Sequence, residues 1–333
     1  MSVLIEAKNL GKTFVDNSIR LGPKRAEVRA VDNVSFQIMK GETLAVVGES
    51  GCGKSTLGRL LLRLIEATEG HVSMDGKDLT NLSRQEMRQM RKNMQMVFQD
   101  PFGSLSPRRT VAQIISEPMD SFGMIRDKSH RRERVAELLE LVGLPAIYMD
   151  RKPRQFSGGQ RQRIGIARAI SVHPSFIVAD EPVSALDVSI QAQIINLMQD
   201  LQESEGFSIL FISHDLAVVR HVADRVAVMY LGRIVEIGPK DQIYAAPHHP
   251  YTEALLSAAP HPDPTKEIER IVLQGDVPSP TDIPSGCAFR MRCPIAKDIC
   301  SSDNPKSVEI MPGHQVACHF AAPHPITNAQ RPT

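Results

Sequence analysis

The sequence predicts an α/β chain: a core of parallel strands with covering helices, followed by a small cysteine-rich C-terminal extension. Three observations predict it. An apolar run, a glycine-rich turn and a leucine-spaced segment follow one another at 43–65. A second apolar run, at 176–179, leads straight into paired carboxylates. Four of the five cysteines lie beyond residue 286, among many prolines.

The elements follow in chain order. Thr43-Leu-Ala-Val-Val47 reads as a short buried strand, and Lys54 to Ile65 has the apolar spacing of a helix. Between and into them run Gly48, Glu49, Ser50, Gly51, Cys52, Gly53, Lys54, Ser55 and Thr56, which contain G-x-x-x-x-G-K-S/T, the phosphate-binding P-loop. A glycine-rich turn between strand and helix aims backbone N–H groups at one point, where the helix dipole also favours an anion. Lys54 is expected to reach the β- and γ-phosphates of a nucleotide and the Ser55 hydroxyl to bind Mg²⁺. Cys52 is read simply as a small side chain within the loop.

Met94 to Phe98 reads as the next strand, ending at Gln99. From 99 to 172 the strand–helix alternation gives way to helices; Val135, Leu138, Leu139 and Val142 mark one helix face, closed by Gly143. Ser157 is a natural N-cap for a further helix over Arg161 to Val172, with Ile164, Ala167 and Ile170 at helical spacing. Gly158 and Gly159 leave the first turn uncovered, so this helix start could hold a second anion. Phe176-Ile-Val-Ala then ends in Asp180 and Glu181. Asp180 suits Mg²⁺, which prefers oxygen ligands, and Glu181 can polarise an attacking water as general base.

A helix with Ile190, Ile194, Leu197 and Leu201 on one face precedes the strand Ile209 to Ser213, after which comes His214. Two more strands, Val226 to Tyr230 and Arg233 to Ile237, complete the pattern. Parallel strands with helical crossovers make a sheet covered on both faces. Taken singly, His214 reads as a packed polar side chain and Phe14 as core; their order along the chain is what gives them weight.

That order resembles the ATP-binding cassette family. Ser157-Gly158-Gly159-Gln160 matches its signature motif, Gln99 its Q-loop, Ser184-Ala-Leu-Asp187 its D-loop and His214 its switch histidine. Phe14, ahead of the first β-region, matches the aromatic residue set against adenine. The resemblance implies a P-loop NTPase core with an antiparallel β-subdomain and a helical subdomain at 99–172 that faces a membrane partner. It also implies that two cassettes pair head to tail, the signature of one closing on the nucleotide held by the other. Gln99 would sense Mg²⁺ and the attacking water, and His214 the γ-phosphate. One departure is Phe156, where the family most often has Leu.

Composition is consistent with this reading. Of 333 residues, Lys and Arg number 39 against 38 Asp and Glu, a net charge of +1 that argues against a broad nucleic-acid surface. No apolar stretch approaches the ~20 residues that span a bilayer. The N-terminal Met1-Ser-Val-Leu-Ile-Glu-Ala-Lys8 carries a charge at Glu6 and lacks a long apolar run, so no secretory leader is expected and a cytosolic setting is.

The cassette is expected to span 1–238 and a separate region 239–333, whose proline-rich backbone is not expected to build much regular structure. There Cys287, Cys293, Cys300 and Cys318 are separated by five, six and seventeen residues. Zinc sites usually show closely spaced pairs, which are missing here, and disulfides are disfavoured in a reducing compartment. An iron–sulfur cluster, zinc and unligated thiols all remain open from spacing. The flanking His249-Pro-Tyr-Thr-Glu-Ala-Leu-Leu, Gly275-Asp-Val-Pro-Ser-Pro and Gly286-Cys-Ala-Phe-Arg-Met-Arg-Cys293 resemble the C-terminal region of dipeptide/oligopeptide permease ATPases, as does Val97 to Arg108. The F-type subunit of the dipeptide systems is the nearest match. The resemblance covers roughly 1–320 and implies an ATP-hydrolysing subunit on the cytoplasmic face of a bacterial inner membrane. Its partners would be a related second ATPase subunit, two transmembrane permeases and an external peptide-binding protein. In that family the four cysteines hold a 4Fe–4S cluster, with zinc the alternative here. The cargo stays open between dipeptides, longer peptides, nickel chelates and other small solutes, and the alternative of a different class is a soluble cassette ATPase with no transport role.

Overall fold

A computed structural model describes residues 2–21, 24–259 and 270–321. The chain opens with strands β1 (Val3–Leu21) and β2 (Lys24–Met39), then β3 (Thr43–Val47) and helix α1 (Lys54–Leu61). Next come β4 (Glu69–Met74), β5 (Lys77–Asp78), α2 (Arg84–Met90) and β6 (Met94–Val97). A helical stretch follows: α3 (Pro101–Ser104), α4 (Val111–Ser121), α5 (Lys128–Leu141) and α6 (Gly158–Ile170). Alternation then resumes with β7 (Phe176–Asp180), α7 (Val188–Glu205), β8 (Ser208–Ile212), α8 (Leu216–Val222), β9 (Arg225–Tyr230) and β10 (Arg233–Pro239). Beyond it lie α9 (Lys240–Ala245), α10 (Pro250–Ala258), α11 (Ile299–Ser302), β11 (Val308–Met311) and β12 (His314–Val316).

Two sheets form. The smaller is antiparallel, in the order β2-β1-β4-β5; the larger runs β11-β12-β10-β9-β3-β8-β7-β6. Within the larger sheet β9, β3, β8, β7 and β6 are parallel, whereas β10 turns back antiparallel to β9. The hairpin needs no crossover helix because only Leu231 and Gly232 separate its strands, both at positive φ. The expectation of parallel strands therefore holds for the centre of the sheet and fails at β10.

The central strands are buried on both faces, so they read as continuous apolar runs. Leu44 and Val46 of β3, Val178 of β7 and Leu210 and Ile212 of β8 join one core with β1, β2 and Leu57 and Leu61 of α1. Ala45 and Val47, Ile177 and Ala179, and Ile209 and Phe211 join the other core with α4 to α7. Val135, Leu138, Leu139 and Val142 are all buried there, and Gly143 at φ 72 ends the helix as the sequence predicts. Register aligns the strands' C-terminal ends: Val46 sits beside Ile212 and Ala227, and Asp180 beside Ile212. In an open parallel sheet that edge is where ligands bind.

Two expectations need correction. Phe14 lies inside β1, paired with Val28, and not ahead of the first strand. Several register shifts interrupt β1, so its alternation is hard to read in the sequence. The prolines after 239 suggested little regular structure, yet α9 and α10 form there, and Pro250 occupies the first turn of α10, where a missing N–H costs nothing. The segment also returns to the main sheet, with Glu236 and Ile237 of β10 beside Val316 and Gln315 of β12. Tyr251 and Phe289 are fully buried in the same core as α4 to α7.

Candidate nucleotide site

The glycine-rich turn lies where the sequence places it, between β3 and α1. Gly53 caps the helix at φ 108, and a Cβ there would stand 2.1 Å from the Ala30 carbonyl oxygen, so only glycine fits. Lys54 is buried, and its Nζ donates to the carbonyls of Gly48 (2.9 Å) and Glu49 (3.0 Å). Cys52 is buried beside it, its Sγ 3.9 Å from that amine, and burial pushes its thiol pKa up.

The acidic strand end comes to the same edge. The Ser55 hydroxyl donates to Asp180 Oδ1 at 2.7 Å, tying the P-loop to β7. Burial raises the Asp180 pKa against the opposing Ser55 bond, a cost that a bound divalent cation would offset. Glu181 follows at φ 46, a left-handed conformation that strains a non-glycine residue and is met most often at functional sites. Glu181 Oε2 accepts from Gln99 Nε2 at 2.8 Å and stands 3.4 Å from His214 Nδ1. Gln99 and His214, just past β6 and β8, thus converge on one carboxylate oxygen of Glu181, just past β7. A water beside Glu181 could lose a proton to it while Gln99 and His214 hold the carboxylate in place.

The second helix start stands apart from this constellation. Ser157 caps α6 in a reciprocal box, accepting from the Gln160 N–H and donating its own N–H to Gln160 Oε1. The helix begins at Gly158, directly after its Ser157 cap, as the sequence predicts. A Cβ on Gly159 would lie 2.5 Å from Ile190 Cγ2, so its small size is what lets α6 pack on the start of α7. Asp187 at the N-cap of α7 is exposed and Val188 is 81% exposed. No contact joins Ser157, Gly158, Gly159 or Gln160 to the P-loop of the same chain among the described hydrogen bonds. Phe14 is exposed, with Lys12 Nζ 5.1 Å above its ring.

The sequence reading missed two P-loop partners from the far end of the chain. Arg292 grips the Glu49 carboxylate with both Nη atoms, at 2.8 and 2.9 Å, and its side chain is only 8% exposed. The Glu49 N–H donates to the Tyr251 hydroxyl at 2.9 Å. These partners are 243 and 202 residues away in sequence. The only trace of Arg292 in the sequence is a basic residue beside Cys293.

The cysteine corner is partly assembled. Cys287 N–H donates to the Cys300 carbonyl at 2.8 Å, and Phe320 N–H donates to Cys318 Sγ at 3.4 Å. Burial pushes the Cys293 thiol up to about 11, with the charges of Cys318, Cys287 and Cys300 adding to it. Backbone N–H groups of Phe289 and Arg290 near Cys287, and of Ile295 near Cys293, work in the other direction and lower these thiols. All four thiols are unpaired as disulfides. Among the described residues, however, no three His, Cys, Asp or Glu side chains close into a group that could hold a metal ion. The expected metal set is thus not a formed one among the described residues, whether for zinc or for a cluster.

Comparison with known proteins bears on the whole arrangement. Residues 31–184 match the ABC transporter family, and 235–300 match the family described as oligopeptide/dipeptide transporter, C-terminal region. The chain is 56% identical over 296 residues to a probable peptide ABC transporter ATP-binding protein of Sinorhizobium fredii, covering 89% of this chain and 84% of that protein. It is 53% identical over 320 residues to an oligopeptide transport ATP-binding protein of Bacillus subtilis, covering 95% and 97%. Among solved structures it is similar to a dimeric ATP-binding cassette in a post-hydrolysis state bound to ADP and Pi, with a TM-score of 0.63, 30% identity, and coverage of 71% of this chain and 99% of that one.

Proposed function

Because the chain belongs to the ABC transporter family, we propose that it is the ATP-hydrolysing subunit of a peptide importer. The convergence of Gln99 and His214 on Glu181, next to the Ser55–Asp180 pair, is the observation that carries the reading. The peptide and oligopeptide transport relatives supply the cargo class. Lys54 and the loop amides hold the phosphates, Ser55, Asp180 and Gln99 serve Mg²⁺, and Glu181 takes the proton from water. His214 contacts the γ-phosphate, and Phe14 lies against adenine.

Ser157 to Gln160 and Asp187 serve the nucleotide of a second, related cassette, which accounts for their separation from this chain's own P-loop. Two transmembrane permeases and an external binding protein complete the complex, which places this subunit at the cytoplasmic face of the membrane. None of the described helices is long and apolar enough to cross it, so attachment runs through those partners. A strain lacking this gene should fail to grow on peptides as sole source of a required amino acid and recover with the intact gene; normal growth and uptake without it would refute the cargo.

The four cysteines are proposed to hold a 4Fe–4S cluster with a structural or redox role and no part in hydrolysis. Their number and the permease-type sequence in which they lie support this. Anaerobic protein should be brown with about four irons per chain, and Cys300→Ser should bleach it. Colourless anaerobic protein carrying one zinc per chain would overturn the cluster.

A further inference from the structure

The Glu49 peptide unit is held from three directions, and only one hold comes from the P-loop. Its carbonyl accepts from Lys54 Nζ at 3.0 Å. Its N–H donates to Tyr251 of α10, and its carboxylate takes both prongs of Arg292. Those two residues are themselves fixed. Tyr251 is fully buried against Tyr230 and Phe289, with ring centroids 4.8 and 5.4 Å away. The Arg292 guanidinium stands 6.0 Å over the Tyr230 ring, and its residue adjoins Cys293. A forked arginine–carboxylate pair fixes direction as well as distance, because both donors must lie in the carboxylate plane.

We propose that Arg292 and Tyr251 are positioning residues for the ATP site, bracing Glu49 so that its carbonyl seats Lys54 for the phosphates. The C-terminal segment is then part of the nucleotide site, although it touches no nucleotide itself. The inference rests on the ATPase reading above and extends it: nucleotide affinity becomes a property of how the cysteine-bearing segment packs. Neither residue takes part in proton transfer, so the brace acts on binding and leaves the chemical step alone.

The test uses the full chain in its assembled complex, with MgATP as the probe. Arg292→Met should weaken MgATP binding and raise the KM for ATP about tenfold, the scale of one charge-assisted contact, with kcat nearly unchanged. Arg292→Lys, which keeps the charge and loses the fork, should fall between. Glu49→Gln combined with Arg292→Met should be no weaker than the worse single variant, because both remove the same brace. Should Arg292→Met fail to fold, Tyr251→Phe removes one oxygen only and should raise KM several-fold by the loss of one hydrogen bond. A folded Arg292→Met chain with wild-type KM and a lowered melting temperature would overturn the brace and leave a purely structural pair. Wild-type protein that binds no MgATP would overturn the ATPase reading instead, so the two failures are distinguishable.

Discussion

Replacing Glu181 by Gln tests the reaction more directly than any other change, because the structure says how little else it disturbs. The side chains are isosteric, and an amide oxygen can keep the bond now made by Gln99 Nε2 at 2.8 Å. The amide nitrogen would then face the other way, away from that donor. At worst one hydrogen bond is lost, about 0.5–1.5 kcal/mol, which in a chain of this size moves the melting temperature by only a few degrees. The chemistry should suffer far more. A neutral amide cannot accept a proton from water, and a positioned general base contributes about 10²- to 10⁴-fold. That is roughly 3–5 kcal/mol of barrier at about 1.4 kcal/mol per factor of ten. Phosphate release by the assembled complex at saturating MgATP measures it, with nucleotide affinity determined alongside. The expected result is wild-type affinity, a near-wild-type melting temperature and turnover down by at least a hundredfold. Turnover near the wild-type rate would refute the assignment of Glu181 as base. So would an equal loss of affinity, which would make it a binding residue.

Asp180→Asn should stabilise the nucleotide-free chain while abolishing Mg²⁺-dependent hydrolysis. Burial raises the Asp180 pKa from 3.8, so folding favours its protonated form and stability falls as pH rises from the ordinary value through the raised one. An unchanged or lower melting temperature at neutral pH would contradict this. Glu236 has the opposite sign. Burial alone would raise its pKa, but His314, Thr252 and the His248 N–H outweigh it and hold the carboxyl below 4.5. Its contribution is therefore present above pH 4.5 and lost as pH falls through the lowered value, a limb that Glu236→Gln should remove from a pH–stability profile. The amide would also set an N–H against the His248 or His249 N–H, costing about 2–3 kcal/mol in a denaturant titration; a loss under about 0.5 kcal/mol would refute that. If its P-loop and its Ser157 helix serve different sites, as proposed, dilute isolated chain should hydrolyse ATP far more slowly than the assembled complex. Equal rates in both would show that one chain suffices.

The nucleotide site was legible because its parts are local. A P-loop needs one strand, one turn and one helix in immediate succession, so Gly48 to Thr56 can be read without knowing the fold. The carboxylates of Asp180 and Glu181 end an apolar run of four residues, and that run had to be a buried strand. Gln99 and His214 are different. Nothing local distinguishes them from ordinary residues after strands; only the parallel register, which brings β6, β7 and β8 to one edge, gives them a shared target. The left-handed backbone of Glu181 was equally invisible, since no glycine or asparagine announces it.

What the sequence hid most completely is the return of the chain's end to its beginning. Prolines after 239 argued for an irregular appendage, and locally that argument is sound. Yet the buried Glu236 sits at a strand centre and accepts from His248, His249 and His314, three donors drawn from the supposed appendage. A buried carboxylate is tolerated only when its lone pairs are filled, so Glu236 is an anchor that makes sense only once the tail is docked. The docked tail then delivers Tyr251 and Arg292 to Glu49. None of these pairings has a sequence period, because each joins residues whose separation is set by where the chain re-enters the sheet. Polar side chains that look misplaced in an apolar strand, as Glu236 does in Arg233-Ile-Val-Glu-Ile, are thus the sequence's one trace of such long-range docking.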